Sequence, residues 1–107
     1  GLGDVYKRQA RPMSFRLTPA ADDDVLAIYA HSKSTFGVRQ AERYYQELVA
    51  CFSVLADQPR MARQRLEFDP PFRAHFHASH VIAYIEAGQD ILILRVFHAH
   101  QDWPNLM

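Results

Sequence analysis

The 107-residue sequence holds a single cysteine, Cys51, so it can form no intramolecular disulfide and no thiolate metal cluster. Glycine is scarce as well. Of the four present, Gly1 and Gly3 lie at the extreme N-terminus, leaving no glycine-rich loop of the kind that cradles phosphates. Neither a G-x-S-x-G nucleophile motif nor a zinc-spaced Cys/His set occurs. An excess of one charge sign is also missing. Twelve basic residues meet twelve acidic ones, which excludes indiscriminate nucleic-acid binding through the displacement of phosphate counterions. No apolar run approaches the roughly 18–20 residues that cross a bilayer, and no apolar signal segment opens the chain. The sequence therefore reads as cytoplasmic, with no membrane partner and no sequence-specific nucleic-acid partner. Its length allows one domain with one core.

Residues 1–12 read as a leader or expression scar, expected to be disordered. They carry Lys7, Arg8 and Arg11 against Asp4, show no apolar period and precede Met13. The domain expected over residues 13–107 then has nine basic and eleven acidic side chains, a net charge of −2 with histidines neutral.

From Met13 the pattern divides into elements. Phe15 and Leu17 alternate with Arg16, as on one face of a short strand. Thr18-Pro19 opens a helix, Thr as N-cap and Pro at the first helical position, and Asp22, Asp23 and Asp24 crowd the positive end of its dipole as a solvated helix start. Ala21, Val25, Ile28 and Tyr29 form an apolar stripe that runs to Phe36, and Gly37 stops the helix. A second helix repeats Ala41, Tyr44, Tyr45, Leu48, Phe52 and Leu55 at spacings of 3 and 4 until Pro59. Cys51 sits within this stripe and reads as a buried core thiol.

Beyond Pro59 the period shortens from 3.6 to 2. Strands are predicted over 63–68, 72–77, 80–86 and 91–98, broken by Asp69-Pro70-Pro71, Ala78-Ser79 and the glycine turn at 87–90. The resulting order, β-α-α-β-β-β-β, is an α+β fold with a two-helix hairpin packed on a small, mostly antiparallel sheet.

Two constellations can carry chemistry. One is His75, His77, His80, His98 and His100, whose i, i+2 spacing on strands suits a metal; no carboxylate at matching parity completes a site, so neither a metal nor a cofactor is expected. The other is Arg63, Arg65, Arg73 and Arg95, permanently charged forks gathered in the sheet half, while Lys33 is the one lysine after residue 12. Arg95 interrupts the apolar run 91–97. Two readings stay open for it: a structural ion pair with Glu67 across the sheet, or a charge presented to an anionic partner.

In order and spacing, several segments resemble the ParE branch of the RelE/ParE toxin superfamily. These are Leu17-Thr18-x-x-Ala21, Phe36-Gly37-x-x-Gln40-Ala41-x-x-Tyr44, Phe52-x-x-Leu55-Ala56-x-x-Pro59, Arg63-x-Arg65-x-Glu67, Arg73, His80-x-Ile82-x-Tyr84 and Arg95-Val96-Phe97-His98-x-x-x-Asp102. The resemblance spans residues 15 to 102. It implies the fold already reached and the toxin role of a type II toxin–antitoxin, or plasmid stabilisation, system, in which a stable toxin is held by a labile antitoxin encoded beside it. ParE-like members poison DNA gyrase by binding; RelE-like members cleave mRNA on the ribosome.

The net acidity of residues 13–107 and the lack of lysine beyond Lys33 favour the gyrase-binding role over an endoribonuclease. In that role Arg63, Arg65, Arg73, Arg95 and His98 shape the surface facing gyrase or the antitoxin, Tyr84 and Asp102 position them, and the antitoxin lies between helices and sheet. As an endoribonuclease, Arg73, Arg95 and His98 would be catalytic. An inactive interaction module of the same fold is the third possibility. One departure from the family pattern is Ala62 before Arg63, where glycine is usual, so a different turn geometry is expected there.

Overall fold

A computed structural model describes residues 14–107; the leader expected over 1–12 lies outside the described residues. The elements follow the expected order: β1 (Phe15–Leu17), α1 (Pro19–Phe36), α2 (Val38–Asp57), β2 (Gln64–Arg65), β3 (Phe72–His77), β4 (His80–Ala87) and β5 (Asp90–His98), then a short 3-10 turn at Trp103–Leu106. The five strands form one mixed sheet in the order β1-β5-β4-β3-β2. Only β1 runs parallel to its neighbour. The fold is α+β.

Local chemistry explains the helical hairpin. Thr18 caps α1 by accepting from the Ala21 amide at 3.0 Å, with Pro19 next to it. Gly37, at φ 93°, ends α1 and begins α2, a conformation that L side chains rarely adopt. Phe36, expected at the end of the buried stripe, is instead 67% exposed.

Two apolar layers sandwich the sheet. On the helix side Val25, Leu48, Phe52, Leu55, Ile82, Tyr84, Ile91, Ile93 and Val96 form the main core. Phe72, Val81, Ala83, Phe97 and Trp103 make a second layer on the outer side, which no helix covers among the described residues. Trp103, in the terminal turn, lies against Phe68, Phe72 and Phe76.

A bulge explains how Arg95 fits into an apolar run. Ala83 opposes Arg95 while Tyr84 opposes Ile93, so Leu94 has no opposite residue. Simple alternation would set Arg95 beside Ile91 and Ile93 against the helices. The extra residue carries it to the outer face instead, where its guanidinium stacks 4.7 Å from the centre of the Phe97 ring.

The partner of Arg95 differs from the sequence reading. Glu67 is engaged by Arg65 at 2.8 Å, and Arg95 grips Asp24 with both arms of its fork, Nε to Oδ2 at 2.7 Å and Nη2 to Oδ1 at 2.9 Å. Asp24 also accepts the Val96 amide at 2.9 Å. Asp22 and Asp23 are exposed as expected; Asp24, one helical position further on, points at the edge of β5 and leaves the solvated group.

The strand expected over 63–68 shrinks to two residues. The Phe68 amide turns back to the Arg65 carbonyl at 3.5 Å, and Arg65 lies over the Phe68 and Trp103 rings, so the chain coils where alternation predicted extension. Ala62 does not need the backbone freedom of glycine, because among the described residues the one non-glycine with positive φ is Ala78, in the β3–β4 link. Asp24→Ala should lower the free energy of unfolding in denaturant titrations by about 2 kcal/mol, because it deletes charged hydrogen bonds from a largely buried acceptor. Asp23→Ala should cost less than about 0.5 kcal/mol.

Candidate partner-binding groove

A groove of about 730 Å³ lies between the helical hairpin and the far end of the sheet. Ala27, Ile28 and Phe36 line it from the helices and Val96 from β5, with His31, Tyr44, His80, His98 and Gln101 supplying polar atoms. It runs beside β5 past the end of β1. That free strand edge is closed by side chains: Thr18 Oγ1 donates to the Leu94 carbonyl at 2.7 Å, Asp24 accepts from Val96, and the Gln101 side chain accepts the His98 amide at 2.8 Å.

At the floor of the groove Tyr44 and His80 meet at 2.6 Å, hydroxyl to Nδ1. Burial raises the Tyr44 hydroxyl to about 12, helped by Glu47 and Cys51. His80 is depressed to about 4, first by burial and then by the neighbouring His98, His77 and His31. Both groups are therefore neutral near pH 7, and which of the two donates follows the His80 tautomer. His98 packs edge-on to His80 at 5.4 Å and accepts the His100 amide on its own Nδ1 at 3.1 Å. Among the described residues no three His, Cys, Asp or Glu side chains stand as a metal site.

The residues singled out by sequence do not converge. Ladder partners share a face, so Arg73, opposite Tyr84, lies on the helix side, whereas Arg95, opposite Ala83, lies on the outer side. His98 opposes His80, four residues along β4 from the level of Arg73, or about 13 Å at ~3.3 Å per residue. Arg73 is mostly buried and spent on structure, donating to the Ala62 carbonyl at 2.7 Å and reaching Glu86 at 3.4 Å. Tyr84 is 0% exposed and donates to the Pro59 carbonyl at 2.8 Å; burial raises its pKa, with Arg73 opposing. It supports the loop that Arg73 also holds and can touch no partner itself.

Arg65 stacks on the outer aromatic layer, and Arg63 is exposed. Asp102 accepts from the Asn105 side chain at 2.7 Å at the head of the terminal turn and positions none of the arginines. Sequence reading missed the pairing of Tyr44 with His80. By sequence Tyr44 belongs to a helix stripe and His80 to a histidine cluster. The available signal was a polar residue opening an otherwise apolar strand.

Three comparisons bear on this arrangement. A family model described as ParE toxin of type II toxin-antitoxin system, parDE, matches residues 15–103. Toxin ParE1 of Caulobacter vibrioides is 32% identical over 84 residues, 78% of this chain and 86% of that protein. Toxin ParE1 of Mycobacterium tuberculosis is 32% identical over 89 residues, 82% of this chain and 91% of that protein. In fold, the chain is similar to a structure titled "Chromosomal ParDE TA system from P. aeruginosa", with a TM-score of 0.71 at 24% identity, covering 82% of this chain and 97% of that one.

The neutral Tyr44–His80 pair gives a pH dependence. Unfolded His80 takes up a proton near 6.5 and folded His80 near 4, so between these values the unfolded state binds more protons. Its contribution to stability is complete above pH 6.5 and is lost as pH falls toward 4. Melting temperatures measured across that window should fall, and His80→Gln, which keeps an acceptor for Tyr44, should flatten the decline.

Proposed function

The chain belongs to the ParE toxin family of type II toxin–antitoxin systems, and on that premise we propose that residues 13–107 form one toxin domain that inhibits DNA gyrase by binding and is held inactive by a cognate antitoxin. The observation that carries the binding role is the dispersal of the catalytic candidates. A nuclease must bring its acid–base group and its phosphate-binding arginines within hydrogen-bond reach of one phosphodiester. Arg73 and Arg95 lie on opposite faces of the sheet, each committed to a protein acceptor, and His98 lies at the far end. The net acidity of residues 13–107 supports the same choice, since a ribosome-bound mRNA nuclease gains affinity from basic charge.

The groove supplies the antitoxin's seat. It is apolar along Ala27, Ile28, Phe36 and Val96, and it has donors and acceptors in His80, His98 and Gln101. An amphipathic antitoxin segment would bury its apolar side there and place acidic residues near Lys33 and Arg39, at the exposed tip of the helical hairpin. The outer face, where Arg65 and Arg95 stack on aromatic rings, is left for gyrase.

Purified chain added to a gyrase supercoiling reaction should abolish supercoiling at saturation, and addition of the antitoxin should restore it. The same chain should leave ribosome-bound mRNA intact. Cleavage of that mRNA with supercoiling untouched would establish the endoribonuclease role, and failure of both activities would leave an inactive interaction module.

A further inference from the structure

The two edges of the sheet are treated differently. On the β5 side, Thr18, Asp24 and Gln101 cap the backbone groups that β1 leaves open. At the other edge β2 pairs with Arg73 and Phe72 only, and among the described residues no strand continues the ladder along Ala74–His77. Natural sheets guard such an edge with charge, proline or a bulge. Here none is present: from Ala74 to Ile85 the β3–β4 hairpin contains no Asp, Glu, Lys, Arg or Pro, and Phe76 stands 55% exposed in the middle of the open stretch.

We propose that this edge pairs with the same edge of a second copy of the chain, β3 against β3 in antiparallel register about a two-fold axis at Phe76. Symmetry and the neighbouring strands fix that register. A two-fold axis normal to the sheet keeps each face on its own side, so opposing residues have the same parity and the axis passes midway between the two copies of one residue. An axis at His75 would set the second copy's His77 against Arg73, whose outer side Gln64 of β2 already holds. An axis at Phe76 sets Ala74 against the second copy's Ala78, where its chain turns away into β4 and clears β2.

In this register the two Phe76 rings meet on the outer face with Cβ atoms about 4.5–5.5 Å apart, a favourable aromatic cross-strand pair. On the helix face His75 meets His77 of the second copy. No Asp, Glu, Lys or Arg of Ala74–His77 faces its own kind across the axis. The pairing adds backbone hydrogen bonds and joins two five-stranded sheets into one of ten. It is independent of the toxin's target.

Sedimentation of the full chain at pH 7.5 should show a dimer that dissociates on dilution. Phe76→Lys, which opposes two cations across the axis, should weaken it by more than about tenfold while circular dichroism shows the fold intact. In a Cys51→Ala background, Phe76→Cys should form a disulfide-linked dimer under mild oxidation, whereas Leu66→Cys, 74% exposed but off the edge, should not. A monomer at every concentration without Phe76→Cys cross-linking overturns the proposal. So does a dimer unaffected by Phe76→Lys, or one cross-linked by Leu66→Cys alone. If the lysine variant fails to fold, the cysteine pair decides.

Discussion

Asp24 is the point through which helix, strand edge and groove are connected. One carboxylate accepts both arms of the Arg95 fork and the Val96 amide, so it neutralises a guanidinium on the outer face and closes a strand edge on the inner one. The Asp24 hydrogen bond raises the Arg95 pKa, and the guanidinium stays charged at any pH the fold survives. The bulge at Leu94 makes the contact possible. Without the extra residue Arg95 would be buried among isoleucines, and Val96 and His98 would point away from α1. With it, α1 is fixed along β5, and the space between helix and strand edge stays open as a groove.

That arrangement separates two kinds of surface. At the groove the Tyr44–His80 pair is uncharged near pH 7, since Tyr44 keeps its proton and His80 does not acquire one, and the Asp24 carboxylate is already held by Arg95. Such a surface suits an amphipathic peptide better than a phosphate. The outer face holds its cations against rings, Arg65 on Phe68 and Trp103 and Arg95 on Phe97, so each charge is oriented while its desolvation is shared with an aromatic partner. The groove and this outer face lie on opposite sides of the sheet.

The helical hairpin and strand order were legible because their signals are local. Thr18-Pro19, Gly37 and Pro59 mark helix ends whatever the rest of the chain does, and alternation in 72–77 and 80–86 needs no tertiary knowledge. What sequence could not reveal depends on long-range geometry. Asp24 looks like one of three equivalent acids until β5 passes beside it, and Arg95 can be assigned to a face only when the bulge is known. Alternation at 63–68 failed because Arg65 is held over the Phe68 ring and over Trp103 far along the chain. Candidate site residues suffered most: Arg73 and Tyr84 carry the right chemistry for a partner but spend it on the backbone carbonyls of Ala62 and Pro59.

The claim that partner recognition resides in the groove is tested most directly by amide hydrogen exchange on the chain alone and with its antitoxin. Protection gained on binding should concentrate along residues 27–36, at Ser79 and His80, and at 96–98, with Ala74–His77 unchanged. Protection confined to the outer face around Arg65 and Trp103, with the groove exchanging as before, would contradict the account.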